Sequence, residues 1–162
     1  MRILPPHPGP RLIVNVDGAA RGNPGPAGIG VTVADDDGRV VAELAEGIGH
    51  ATNNQAEYRA ALAGLELAAA HGASAVLLRS DSRLLVEQLA GRFRVKDPIL
   101  RRLHEEARSL MATFEDVSLE HVPREQNADA DRLANVGIDE WLETDEGRTY
   151  RRPERPPRLF EG

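Results

Sequence analysis

RLIVNVDGAARGNPGPAGIG, residues 11–30, decides the fold. Leu12 to Val16 reads as a buried strand that runs into Asp17. The AARGNPGPAG that follows reads as a turn, punctuated by Gly and Pro. GIGVTVADDDG is then a second strand, closed by a hairpin signal at Asp36-Asp37-Gly38. RVVAELAEGIG is a third. Three strands joined by short turns predict an antiparallel meander.

Beyond the meander the period changes. HATNN opens a helix that Thr52, Asn53 or Asn54 can cap, with Gln55 and Glu57 in its first turn. Ala56, Ala60, Ala63 and Leu67 fall on one helical stripe, widened by Leu62, Leu65 and Ala69, and Gly72 ends it. Ala75 to Arg79 is a short apolar strand that reaches Asp81 through Ser80. A short helix, the basic connection GRFRVKD, a helix opened by Pro98, the alternating strand VSLEHVP and a final helix capped by Asn127 complete the order. The expected fold class is α/β, a mixed sheet with helices packed on it. The first strand and the Ala75–Arg79 strand are expected to be parallel neighbours with the long helix as crossover. Sites in such sheets form at the carboxyl ends of strands. Adjacent strands lie about 4.8 Å apart, which would make Asp17 and Asp81 neighbours.

The 162 residues fit one domain, with 41% hydrophobic and 28% charged residues. Residues 1–10 read as a flexible N-terminus, 11–142 as the domain, and 143–162 as a charged, Pro- and Arg-rich disordered tail. The absence of cysteine excludes disulfides, thiolate metal sites and a cysteine nucleophile. No apolar run approaches the roughly 20 residues of a membrane span. The first residues lack the order of a secretory signal, so a cytoplasmic location is expected. A net charge of -6 argues against a binder that relies on a broad basic surface, though bound cations would cover part of the acid.

Each acid alone has a plain reading: Asp17 as a turn residue, Asp81 as a helix cap, and Glu57, Asp129 and Asp131 as helix-start acids. Together, strand-end and helix-start carboxylates that converge on one sheet end would repel each other without cations. Hard cations such as Mg²⁺ favour carboxylate oxygen and water. Two such ions about 3.5–4 Å apart activate water and stabilise the leaving oxygen in phosphodiester cleavage.

VDGAARGNPGPAGIG, TNNQAEYRAALAGLELA, RSDSRLLVEQL and HVPREQNADADRLAN together resemble type 1 ribonuclease H, over about residues 11–140 and in that family's order. The resemblance implies the ribonuclease H-like fold, a five-stranded mixed sheet with three antiparallel strands and then parallel ones, flanked by helices. It implies endonucleolytic hydrolysis of the RNA strand of RNA/DNA hybrids, with two Mg²⁺ ions and with Mn²⁺ as a substitute, leaving 5′-phosphate and 3′-hydroxyl ends. Its four metal-binding carboxylates fall on Asp17, Glu57, Asp81 and Asp131. Asp131 is chosen over Asp129 because the family's acid stands directly before x-Leu-Ala, here Arg132-Leu133-Ala134.

Many members carry a mobile histidine before the last acid. This chain instead resembles the branch with arginine there, which makes Arg124 a candidate catalytic residue. His121 reads as structural. The resemblance further places Gly18, Asn23, Thr52, Asn53, Asn54 and Gln55 against the hybrid. There, amides can read the 2′-hydroxyl, which is both donor and acceptor. Arg92, Arg94 and Lys96 stand where many relatives have a longer basic grip. A monomer with no obligate protein partner and no membrane association is expected. The rival readings are a non-catalytic hybrid-binding module and a different nuclease on the same architecture.

Overall fold

The computed structural model describes residues 10–149. Its strands are β1 (Arg11–Ala20), β2 (Gly25–Ala34), β3 (Val40–Ala51), β4 (Ala75–Ser80) and β5 (Asp116–His121). They form one sheet in the order β3-β2-β1-β4-β5. The first three are an antiparallel meander, whereas β4 pairs parallel to β1 and β5 parallel to β4. α1 (Asn53–Ala70) is the crossover from β3 to β4. α2 (Arg83–Leu89) and α3 (Pro98–Met111) join β4 to β5, and a 3₁₀ turn at Arg124–Asn127 leads into α4 (Ala128–Glu143). The mixed sheet flanked by helices is therefore the architecture expected from the sequence.

The glycine-rich stretch after Asp17 is strand over much of its length. β1 continues through Gly18 to Ala20, and β2 begins at Gly25. The small residues there seat a helix. A Cβ on Gly30 would lie 2.0 Å from the Ala130 carbonyl oxygen, and one on Gly28 would lie 2.4 Å from that of Ala134. α4 can therefore lie on β2 only because both positions lack a side chain. Asp17 pairs with Gly30 and Val16 with Val31. Since side chains alternate along a strand, Asp17 belongs to the α4 face and Val16 to the opposite one. On that opposite face α1 covers Leu12, Val14, Val16, Val31 and Val76, all buried.

The buried face of α1 is rotated from the expected stripe. It runs Glu57, Ala60, Ala61, Gly64, Leu65, Ala68, while Ala63 and Leu67 are only partly buried. Alanine and leucine occur on every side of this helix, so the apolar pattern alone leaves its phase open. The consequence is functional: Glu57 stands at the head of the core-facing row.

Helical structure continues beyond the boundary expected at residue 142. α4 ends at Glu143, and a short α5 (Asp145–Thr149) folds back on it, with Gly147 against the Trp141 carbonyl. The rest of the expected tail, 150–162, and residues 1–9 of the expected flexible N-terminus lie outside the described residues. Among the described residues no helix is long and apolar enough to cross a membrane.

Candidate active site

Three carboxylates meet where β1, β4 and the start of α1 converge. Asp17, Glu57 and Asp81 each place an oxygen within 4.8 Å of the other two. Asp17 comes from the middle of β1, and Asp81 follows the last residue of the adjacent β4. Glu57 is brought in by the tight approach of α1 to β1. A Cβ on Gly18 would lie 2.1 Å from the Ala56 carbonyl carbon, so this contact requires glycine. Across it the Gly18 N–H donates to Glu57 Oε1 at 3.1 Å, and the Ser80 hydroxyl donates to Oε2 at 3.5 Å. α2 is capped by Ser82, which leaves the Asp81 carboxylate free of the capping role.

Asp17 and Glu57 are 4% and 9% exposed. Burial pushes the Asp17 carboxyl up to about 9, and the charges of Glu57, Asp81 and Asp131 act in the same direction. Burial pushes Glu57 up to about 8, against the lowering effect of the Gly18 N–H. Desolvated like charges at this spacing cannot all ionise unaided. An all-oxygen donor set of this kind fits a hard divalent cation, whose charge would release the protons.

Asp131 stands on the first turn of α4 and lines the same cleft, where its charge acts on Asp17. It is not one of the three carboxylates that share the 4.8 Å cluster. Asp129 is exposed and is not among the lining residues. Arg124, in the 3₁₀ turn, lines the cleft with its side chain 80% exposed and Nη2 at 3.9 Å from Asp131 Oδ1. The cleft has a volume of about 740 Å³ and an open mouth.

The expected substrate-binding residues divide. Gly18 and Asn53 line the cleft. Thr52 and Gln55 form a reciprocal capping box at the start of α1. Asn23 accepts from the Asn53 N–H, and Asn53 Oδ1 accepts from the Ala20 N–H, both at 3.0 Å, which fastens the β1–β2 turn to α1. Asn54 is exposed beside them. Of the basic segment, Arg92 is paired with Glu87 at 2.5 Å, while Arg94 and Lys96 are exposed.

The structure adds residues that sequence reasoning missed. His121 is not packed as expected. It ends the edge strand β5, is exposed, lines the cleft, and places Nε2 3.2 Å from the Asp81 carbonyl oxygen. Arg21 lines the opposite wall, paired with Asp139 at 2.7 Å and hydrogen-bonded to Asn135. Asn127 precedes α4 but makes no side-chain cap; its Nδ2 donates to the Val16 carbonyl at 2.9 Å. With φ -119° and ψ 21° it leaves the 3₁₀ turn without the extended backbone that a capping side chain needs. No local pattern announces these contacts.

The family model described as "Reverse transcriptase-like" matches residues 15–137. The Ribonuclease HI of Halobacterium salinarum is 48% identical over 138 residues, covering 85% of this chain and 69% of that protein. A crystal structure of RNase H1 from that archaeon superposes with a TM-score of 0.79 at 49% identity, over 80% of this chain and 98% of that one. LC11-RNase H1, crystallised in complex with RNA/DNA hybrid, gives a TM-score of 0.78 at 39% identity, over 82% and 99%. A bifunctional protein of Mycobacterium tuberculosis is 46% identical over 130 residues; the alignment covers 80% of this chain but 36% of that longer protein.

Proposed function

Because the chain belongs to the ribonuclease H family, we propose that it cuts the RNA strand of an RNA/DNA hybrid endonucleolytically, with two Mg²⁺ ions held by Asp17, Glu57, Asp81 and Asp131. The observation that carries this reading is the convergence of Asp17, Glu57 and Asp81, with oxygens within 4.8 Å of one another. A binding module would have no use for such a cluster. The hybrid bound by LC11-RNase H1 supports the substrate. The catalytic unit is residues 11–142, acting as a monomer, with Mn²⁺ as a substitute metal.

Bound divalent cations supply the charge that activates a water for in-line attack and stabilises the departing 3′ oxygen, which leaves 5′-phosphate and 3′-hydroxyl ends. Asp17, on which the charges of Glu57, Asp81 and Asp131 all act, would be the central residue of the set that holds the cations. Glu57 is oriented by the Gly18 N–H and the Ser80 hydroxyl, so its carboxylate meets a cation without reorganising. The protons that Asp17 and Glu57 keep in the metal-free site must leave as cations enter. Arg124, exposed at the mouth, is placed to meet a phosphate oxygen. Gly18, Asn23, Thr52, Asn53, Asn54 and Gln55 form the face that meets the hybrid, with the Asn53 and Asn54 amides suited to the 2′-hydroxyl.

The test is cleavage of a 5′-labelled RNA strand paired with DNA, in Mg²⁺, Mn²⁺ or EDTA, beside an Asp81→Asn control and a duplex DNA. Metal-dependent cutting of the hybrid alone, lost in the control, is the expected result. Binding of the hybrid without cutting in either metal would turn the reading to a binding module.

A further inference from the structure

Asn127 is a buried polar residue behind the cleft to which no role has yet been assigned. It is 1% exposed, and Nδ2 donates to the carbonyl of Val16, 111 positions away in sequence. Val16 is the residue immediately before Asp17, and Asn127 lies four positions before Asp131, where the 3₁₀ turn passes into α4. One side-chain hydrogen bond therefore joins the segments that carry two carboxylates of the cleft. Its orientation is fixed: a flipped amide would set Oδ1 against the Val16 oxygen. Oδ1 is itself buried with no hydrogen-bond partner, so satisfying both ends of the amide is not what keeps asparagine here.

The same turn is also held by weaker contacts. Arg79 Nη2 donates to Gln126 Oε1 at 3.3 Å, and Asn15 Nδ2 approaches the Gln126 carbonyl at 3.5 Å. Both are at the exposed surface. The Asn127 bond, by contrast, is buried and reaches the backbone next to Asp17.

We infer that Asn127 is a positioning residue, which sets Asp131 at its working distance from Asp17 through the Val16 carbonyl and so determines how tightly a divalent cation is held in the cleft. This rests on the reading of Asp131 as a cation ligand. It assigns Asn127 no contact with substrate. Removing an outer partner of this kind lowers metal affinity or turnover about 10- to 100-fold.

The test pairs Asn127→Asp, which keeps the shape but sets oxygen against oxygen, with Asn127→Ala, which removes the amide. Both are compared with Asp131→Asn and with Asn127→Ala/Asp131→Asn. Mg²⁺ binding is followed without substrate by the rise in melting temperature and by calorimetric titration, and kcat and KM are measured on a hybrid. The expected result is a folded variant whose Mg²⁺ midpoint rises about 10- to 100-fold and whose kcat falls, with KM for the hybrid little changed. In the double variant the Asn127 change adds nothing further to the midpoint of Asp131→Asn. A folded Asn127 variant with the parental midpoint overturns the inference, as does a midpoint shift that persists undiminished on top of Asp131→Asn. Failure of both single variants to fold also overturns it, in favour of a purely structural bond. If Asp131→Asn itself leaves the midpoint unmoved, the reading of Asp131 fails first, and that outcome is separable from the others.

Discussion

The two walls of the cleft are built to different standards. Asp17 and Glu57 are 4% and 9% exposed, and the sheet and the close seat of α1 on Gly18 fix their backbones. Asp131 and Arg124 stand on the other wall, with side chains 34% and 80% exposed and 3.9 Å apart. The buried half is held by the core and can shift only if the core shifts. The open wall rides on α4, whose backbone is seated on Gly28 and Gly30, but its side chains reach into solvent. One wall thus fixes where charge sits, and the other presents its side chains to solvent at the mouth of the cleft.

Asp17→Asn breaks the comparison at its strongest point. It removes the central carboxylate with little change of shape, and cleavage should fall by about 10⁴-fold or more, as for other members of a catalytic unit. The metal-free protein should become more stable near neutral pH, because folding no longer has to protonate a carboxyl that the unfolded chain has ionised. Each kcal/mol relieved raises the melting temperature of a domain this size by about 2–4 °C. Activity assays and melting in EDTA check both; a lower melting temperature would mean that the cluster is not under electrostatic stress. Asp131→Asn tests the open wall. Turnover should fall by about 10²- to 10³-fold. Its melting temperature in EDTA should move less than that of Asp17→Asn, since its side chain is one-third exposed.

The pH dependence of the metal-free fold sharpens the contrast. In the fold Asp17 titrates at about 9 rather than 3.8, and Glu57 at about 8 rather than 4.5. Above about pH 4 the unfolded chain has lost protons that the folded chain keeps, so the folded state is penalised progressively until the folded groups ionise. Stability in EDTA should therefore fall as pH rises from about 4 towards 9. Saturating Mg²⁺ should flatten that slope, because the cation holds both groups ionised. Melting temperatures with and without Mg²⁺ across this range test the sign. A metal-free protein that grows more stable with rising pH would contradict it.

The rigid wall is also the one most legible in the sequence. Asp17 and Asp81 are marked by apolar runs that end on an acid, and the parallel pairing of their strands follows from the intervening helix. Glu57 is harder to place, because alanine on every side of α1 hides the phase that buries it. Of the seats of α4, Gly28 closes a stretch that reads as a turn and Gly30 falls in an expected strand; neither reading reveals the helix above, because a glycine needed for a close approach carries no mark of its own. The open wall is nearly mute. Asn127 reads as a cap, yet its bond spans 111 positions. Arg21 and His121 take their places from contacts with α4 and with the Asp81 backbone, which no local pattern encodes.

Arg124→Ala carries the smallest expected effect and isolates the open wall from the cations. The side chain is 80% exposed, and its ion pair with Asp131, at 3.9 Å, is of a kind that contributes at most about 1 kcal/mol. Its loss should leave the melting temperature nearly unchanged. If the guanidinium meets a phosphate oxygen during reaction, turnover should fall by about tenfold, below the 10²- to 10³-fold loss of a buried, preorganised donor. Arg124→Lys should recover only part of that loss, because lysine keeps the charge but not the planar fork. The Mg²⁺ midpoint separates this role from that of Asp131: removing an arginine should leave cation binding unweakened, whereas removing a ligand should weaken it. A rise in KM with kcat unchanged would instead make Arg124 a substrate-gripping residue, and the working face of the open wall would then be Asp131 alone.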